Sequence, residues 1–452
     1  MKITVGEAVR ACGGTLLCGN PETILTSVST DSRKITPGSL FVPIKGENTD
    51  AHDFITATFA AGAAATLTQE HSQMDDAHAW IAVPDTLAAL QQIAAAYRKK
   101  FQIPFVGITG SVGKTTTKEM VALALSAERN VMKTEGNQNS QVGLPLTMFR
   151  LCTEHQAAVV EMGMSNFGEM SRLAEIAAPD YAVMTNIGIS HIQQLKTQQN
   201  ILSEKLHITD QFHEGSVLFL NGDDELLAGL RGKTKFETVF YGTQPWCDYY
   251  AEDIQSESGT TTFTLRTKEG SRQITIPVLG MHNVLNALAS LAVAKTLGVS
   301  VDHAAEKLAN YRPLAMRQQI HTVNEITVID DSYNASPDSM RSSLELLCSF
   351  HSGKRVAVLA DMLELGEYSQ KAHFNVGVYA AKSGVDRLIA IGPESREIIN
   401  GAKSVNPNLD CSYFEQNGQA IELLQATLTG GDAVLVKGSR GMHTDEIVKA
   451  LL

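Results

Sequence analysis

The stretch FVGITGSVGKTTTKEM, Phe105–Met120, runs from an apolar segment through Gly110, Ser111, Val112 and Gly113 into Lys114, Thr115 and Thr116. Glycines let successive backbone N–H groups turn toward one point, and a following helix N-terminus adds partial positive charge. Lys114 suits the β- and γ-phosphates of a nucleotide, and Thr115 suits a magnesium ion. Position 108 is Ile where the general P-loop pattern has its first glycine, so the turn starts at Gly110. The plainer alternative is a glycine turn joining a strand to a helix.

Three further residues can carry chemistry beside such a cradle. Glu161 ends the run AAVVEM, at the tip where open α/β sheets hold ligands, and its carboxylate can take magnesium or cap a helix. His191 follows YAVMTNIG on the same crest and is either a metal ligand or a structural histidine. Lys205 falls on a stripe with Ile201, Ile208 and Phe212 at helical spacing. It is either a snorkelling lysine or a buried amine whose neutral form is reactive.

Amide and charged groups recur at other strand and helix ends. Asn137 and Asn139 lie in TEGNQNSQVGLP. Gly280, His282, Asn283 and Asn286 open LGMHNVLNALAS. Amides there can read a base edge or cap a helix. Asp330 and Asp331 end a strand in VIDDSYNASPDSM, with Tyr333 and Asn334 in the loop beyond. Lys437, Ser439 and Arg440 end another in LVKGSRG, where the two cations can hold a carboxylate.

The elements that must position these residues read as an α/β chain in three parts. A mixed α/β segment spans 1–85. The stretch 86–313 opens with a helix over Thr86–Phe101, capped by Asp85 or Thr86. It continues as a doubly wound, largely parallel sheet carrying the cradle, with FVGIT, AAVVEM, YAVMTNIG and GSVLFLN as buried strands. A β-rich insertion, Thr260–Gly280, and the helix NVLNALASLAVAKTLG follow. After Pro313 a second doubly wound pattern fills 314–452, with four strands: EITVIDDS, RVAVLADM, RLIAIG and DAVLVKGS.

The bulk numbers agree. A chain of 452 residues exceeds one ordinary core, with about two to four domains expected. A net charge of −12 argues against nucleic-acid binding but not against an anionic small substrate. The six scattered cysteines form no CxxC pair and read as reduced thiols of a cytoplasmic protein. The N-terminus has no signal-type apolar core, and no apolar run of about eighteen residues is present, so no membrane span is expected.

Taken in order, STDSRKITPGSLFVPIKGENTDAHDF, TGSVGKTTTKEM, GNQNSQVGLP, VVEMGM, NIGISH, LGMHNVLNALA, DDSYNASPDSM, ADMLELGEYSQKAH and LVKGSR resemble the Mur ligase family of bacterial cell-wall synthesis. The ADMLELGE stretch, and the lack of an Asp-Asn-Pro-Arg string, favour its dipeptide-adding branch. The resemblance implies a P-loop ATPase-like central domain and a C-terminal domain of Rossmann type. The implied reaction is ATP-dependent joining of D-alanyl-D-alanine to UDP-N-acetylmuramoyl-tripeptide through an acyl phosphate. Gly110 to Thr116 would cradle ATP. Asn137, Asn283, Asn286, Arg317 and Asp331 would contact it. Thr115, Glu161, His191 and a carbamylated Lys205 would hold Mg2+.

Ser29, Thr30, Asp31, Ser32, Arg33, Lys45 and Gly46 match the stretch that meets the UDP end. Lys437, Ser439 and Arg440 fall on the expected side for the dipeptide. Two positions depart from common family usage: Met281 stands where many relatives are basic, and His207 replaces a frequent glutamate. The partners implied are small molecules alone, acting on a monomer. Open alternatives are another Mur ligase, a folylpolyglutamate synthetase-like ligase, and a non-catalytic nucleotide-dependent binding protein.

Overall fold

The computed structural model describes residues 1–46, 49–70, 75–257, 259–350 and 353–452. The continuous apolar runs become strands covered on both faces, which is why they lack period-two alternation. Phe105–Thr109, Ala157–Glu161 and Val217–Asn221 are buried at every position. They sit in a nine-stranded sheet with the order 270–276, 260–267, 249–257, 237–242, 217–221, 181–184, 105–109, 157–161, 131–133. All pairs from Val131–Lys133 to Tyr249–Glu257 are parallel.

The region read as a β-rich insertion extends this same sheet. Its last two strands pair antiparallel. Thr260–Thr267 alternates buried and half-buried positions, the signature of a strand packed on one face only. The face it buries meets the helix Met281–Thr296, which also packs on Lys114–Leu125.

The C-terminal part forms a six-stranded sheet with the order 319–323, 326–331, 433–437, 355–360, 387–391, 410–414. The four expected strands are its interior. The two missed strands are edges: Gln319–Val323 is polar and alternately exposed, and Asp410–Phe414 is at most half-buried.

The N-terminal part carries a separate five-stranded sheet, in the order 15–18, 79–82, 65–68, 39–41, 27–29. The helix after it runs Thr86–Arg98, and Asp85 is the cap, accepting from the Ala88 N–H at 2.9 Å. This helix packs on Val5–Cys12 and also on Gly143–Met148 and Glu169–Ala177. Tyr97 Oη donates to the Leu151 carbonyl at 2.8 Å and Arg98 Nε to the Ala177 carbonyl at 2.7 Å. One apolar core therefore runs from the N-terminal sheet into the central one.

No helix among the described residues is long and apolar enough to cross a membrane.

Candidate active site

A cleft of about 1310 Å3 opens where the strand ends of the central sheet face the C-terminal sheet. Its floor is the glycine turn. Gly110 has φ +148°, and a Cβ there would lie 1.8 Å from Thr185 Oγ1, so no side chain fits. Asn186 and Thr185, neither singled out from sequence, hold the turn. The Ser111 N–H donates to the Asn186 carbonyl at 3.0 Å, the Val112 N–H to Asn186 Oδ1 at 2.9 Å, and Thr185 Oγ1 to the Val112 carbonyl at 2.5 Å. The helix Lys114–Leu125 starts at once, so its first-turn N–H groups lack intrahelical acceptors and face the cleft side.

Two lysines converge beneath this turn. Lys114 Nζ donates to the Gly110 and Ser111 carbonyls at 2.8 and 3.2 Å. Lys205 Nζ donates to the same Gly110 carbonyl at 3.0 Å. Lys205 is only 2% exposed, which rules out snorkelling. Burial, and then the Lys114 charge, push the Lys205 amine well below the ordinary lysine range. Burial also lowers Lys114, partly offset by Glu161.

Glu161 is buried at its strand tip. Its Oε1 accepts from Asn139 Nδ2 at 2.7 Å, and its backbone N–H donates to Thr134 Oγ1 at 3.0 Å. Its Oε2 has no hydrogen-bond partner among the described residues. His191 occupies a left-handed conformation with φ 61°. Its Nδ1 lies 3.0 Å from Glu364 Oε2, a residue of the ADMLELGE stretch to which the sequence assigns no site role. Burial, and then Lys114, lower the His191 pKa, so the ring is neutral near pH 7. A buried carboxylate oxygen without a partner, a neutral imidazole and Thr115 on one cleft suit a cation that takes few protein ligands, as magnesium does. No three His, Cys, Asp or Glu residues converge among the described residues. Lys205 could join such a set only after losing its cationic character.

The remaining predicted residues divide. Thr116, Asn137, Asn283, Asn286, Arg317, Asp331, Ser439 and Arg440 line the cleft. Asn286 Oδ1 accepts from Thr117 at 2.9 Å, and Asn283 Nδ2 donates to the Leu279 carbonyl at 2.8 Å, so both amides are partly spent on local structure. The Arg317 guanidinium stacks 3.9 Å over the Tyr333 ring. Lys437 also lines the cleft but is buried in an ion pair, 2.5 Å from Asp331 Oδ2, and donates to the Asn334 carbonyl at 3.0 Å. Sequence alone treated these two as separate ligand contacts, and the fold spends them largely on each other. Arg440 keeps half its side chain in solvent, 3.3 Å from Asp445.

Ser29, Thr30, Asp31, Ser32, Arg33, Lys45 and Gly46 lie outside this cleft, in the N-terminal part, where Ser29 ends a strand and the others lie in the turn and loop beyond the strands. There Asp31 caps the turn Ser32–Lys34 and pairs with Arg33 Nε at 2.9 Å, while Lys45 pairs with Asp50 at 3.2 Å.

Three family models match in chain order: "Mur ligase family, catalytic domain" over 25–98, "Mur ligase middle domain" over 108–294 and "Mur ligase, glutamate ligase domain" over 316–440. The chain is 39% identical over 459 residues to the UDP-N-acetylmuramoyl-tripeptide–D-alanyl-D-alanine ligase of Bacillus subtilis (strain 168), covering 100% of this chain and 99% of that one. Among solved structures, MurF from Acinetobacter baumannii superposes with a TM-score of 0.93 at 30% identity, covering 100% of this chain and 99% of that one. The MurF ligase from Thermotoga maritima in complex with ADP gives 0.85 at 29% identity, covering 94% and 96%. With a cradle and a crest carboxylate on one cleft, a lysine buried beneath the turn, and similarity along its whole length, the chain belongs to the Mur ligase family.

Proposed function

We propose that this chain is the ATP-dependent ligase that joins D-alanyl-D-alanine to UDP-N-acetylmuramoyl-tripeptide, giving UDP-N-acetylmuramoyl-pentapeptide, ADP and phosphate in peptidoglycan precursor synthesis. The observation that carries this reading is the full-length likeness to ligases of that specificity, joined to the converging lysines under the glycine turn.

A carboxylate is a poor acyl donor at neutral pH. Its attack on the γ-phosphorus of ATP forms a C–O–P bond and breaks the bond to the β-phosphate oxygen, releasing ADP. The dipeptide amine then attacks the acyl carbon, loses a proton, and phosphate leaves. The residues' task is position and charge. Lys114 and the first-turn N–H groups place the phosphates. Arg317, held against Tyr333, adds positive charge from the opposite wall as charge shifts onto oxygen. When bound, Mg2+ neutralises phosphate charge, and Thr115, Glu161 and His191 would hold it.

Lys205 in its neutral form can add carbon dioxide, forming an N–C bond and releasing one proton. The resulting carbamate is an anion with oxygen donors, and it removes the conflict with Lys114.

In this reading residues 1–85 meet the UDP end through the Ser29–Arg33 turn and Lys45–Gly46. Residues 86–313 bind ATP, and 314–452 bind the dipeptide and close on ATP, with Arg440 as the cation for the dipeptide carboxylate. Enclosure between the two sheets protects the acyl phosphate from water. The enzyme acts as a cytoplasmic monomer.

Mass spectrometry of the purified protein with ATP, Mg2+, the tripeptide nucleotide and D-alanyl-D-alanine tests this. The pentapeptide nucleotide is expected. ATP turnover without it would leave a nucleotide-dependent binding protein instead.

A further inference from the structure

His282 is a half-buried titratable residue on the cleft wall that neither the cradle nor the metal ligands use. It lies in the first turn of the helix Met281–Thr296, one residue before Asn283. Its Nε2 is 2.6 Å from Gln318 Oε1. The amide oxygen can only accept, so the ring donates. Burial lowers the pKa of the ring, which keeps it a neutral donor. The ring also has a prepared seat. Gly280 has φ +97°, and a Cβ there would lie 2.5 Å from His282 Cε1.

Gln318 belongs to the segment that crosses from the central sheet to the C-terminal one, and this segment is conformationally costly. Met316 and Gln318 both have left-handed backbones, at φ 61° and 54°. Such positions persist only where their surroundings hold them. The C-terminal side holds the segment through Tyr333, whose N–H donates to the Met316 carbonyl at 3.1 Å and whose ring carries Arg317. The central side holds it through the His282–Gln318 hydrogen bond. Arg317 sits between these two anchors.

We infer that His282 is a positioning residue that clamps Gln318, and through it sets Arg317 on the wall of the cleft. The inference rests on the ligase reading for its kinetic consequence only. The clamp therefore acts on the transferring group rather than on nucleotide affinity.

The test compares the full-length wild type with His282→Phe, Gln318→Gly and the double variant. Gln318→Gly removes the acceptor while leaving a residue that tolerates the left-handed backbone, so it reports even if His282→Phe fails to fold. Each single variant should lose kcat about tenfold, the cost of one lost partly buried hydrogen bond, with ADP affinity by calorimetry within about twofold of wild type. The double variant should be no worse than the worse single one.

A readout independent of catalysis is the initial rate of tryptic cleavage at the Arg317–Gln318 bond, followed as the 318–452 fragment. It should rise about tenfold in Gln318→Gly as the segment opens more often. Unchanged cleavage overturns the clamp. Faster cleavage with wild-type kcat overturns its role in positioning Arg317. If the wild type itself makes no pentapeptide nucleotide, the ligase reading falls, while the cleavage rates still decide the clamp.

Discussion

The central and C-terminal sheets each bury a lysine close to the cleft, and the two are treated in opposite ways. Lys437, at a strand tip of the C-terminal sheet, meets the Asp331 carboxylate at 2.5 Å. Lys205, under the glycine turn, meets a backbone carbonyl that it must share with a second lysine. The first charge is matched, and serves to tie two strand tips and the Asn334 loop together. The second has no carboxylate bonded to it, so burial and then the Lys114 charge push its pKa well below the ordinary lysine range, which favours the neutral, reactive form. Equal burial therefore does not mean equal role. What separates a structural lysine from a reactive one here is the partner.

Lys114→Ala should break the working side of this contrast most completely. Steady-state ADP release should fall at least about a hundredfold, since on the proposed reading the lost charge would meet the phosphates, while the unfolding midpoint stays near wild type. Near-normal turnover would remove the nucleotide assignment.

Lys205→Ala should be almost as inactive, with a loss of about a hundredfold if the carbamate anion is needed. Added short carboxylic acids should restore part of the rate by filling the vacated space. Full activity of this variant in buffer depleted of carbon dioxide would leave Lys205 no chemical role.

The contrast sharpens in stability. Lys437→Met leaves Asp331 buried without its cation, with the Ser343 hydroxyl still donating to it, and should cost about 3–5 kcal/mol in urea unfolding. Lys205→Met removes an amine with no carboxylate bonded to it and should cost little or stabilise. The pH dependence gives a second check. Lys205 has a lowered pKa when folded and an ordinary one when unfolded, so the unfolded chain binds the extra proton. Stability therefore rises with pH up to the unfolded lysine pKa, by at most about 1.4 kcal/mol per pH unit from this one group. Lys205→Met should flatten that slope relative to wild type between pH 7 and 9. An identical slope in both proteins would mean Lys205 keeps its proton when folded.

The smallest effect belongs to Arg440, whose half-exposed side chain already has Asp445 nearby. Arg440→Ala should raise KM for D-alanyl-D-alanine about fivefold to tenfold and leave KM for ATP within about twofold. A change confined to ATP would move this cation to the nucleotide side.

The central fold was legible because its strands are apolar runs and its helices are periodic, so Phe105–Thr109, Ala157–Glu161 and Val217–Asn221 announce themselves. Edge strands such as Gln319–Val323 escaped, because a strand buried on neither face carries no hydrophobic pattern. In the site, the sequence alone determined the glycine turn that leads from strand into helix at Lys114, since Gly110 and Gly113 take positive φ that other residues avoid. It also placed Lys205 on an inward stripe, since helical period is local.

Only the tertiary structure decided the pairings. Residues 106 positions apart brought Lys437 to Asp331, and the 95 positions from Gly110 to Lys205 closed into one hydrogen bond. Asn139 on Glu161, Glu364 beside His191 and His282 on Gln318 likewise join separate segments. The physical reason is that a side chain's charge state depends on burial and on the charges within a few ångströms. Those neighbours come from chain crossings that no local window of sequence contains.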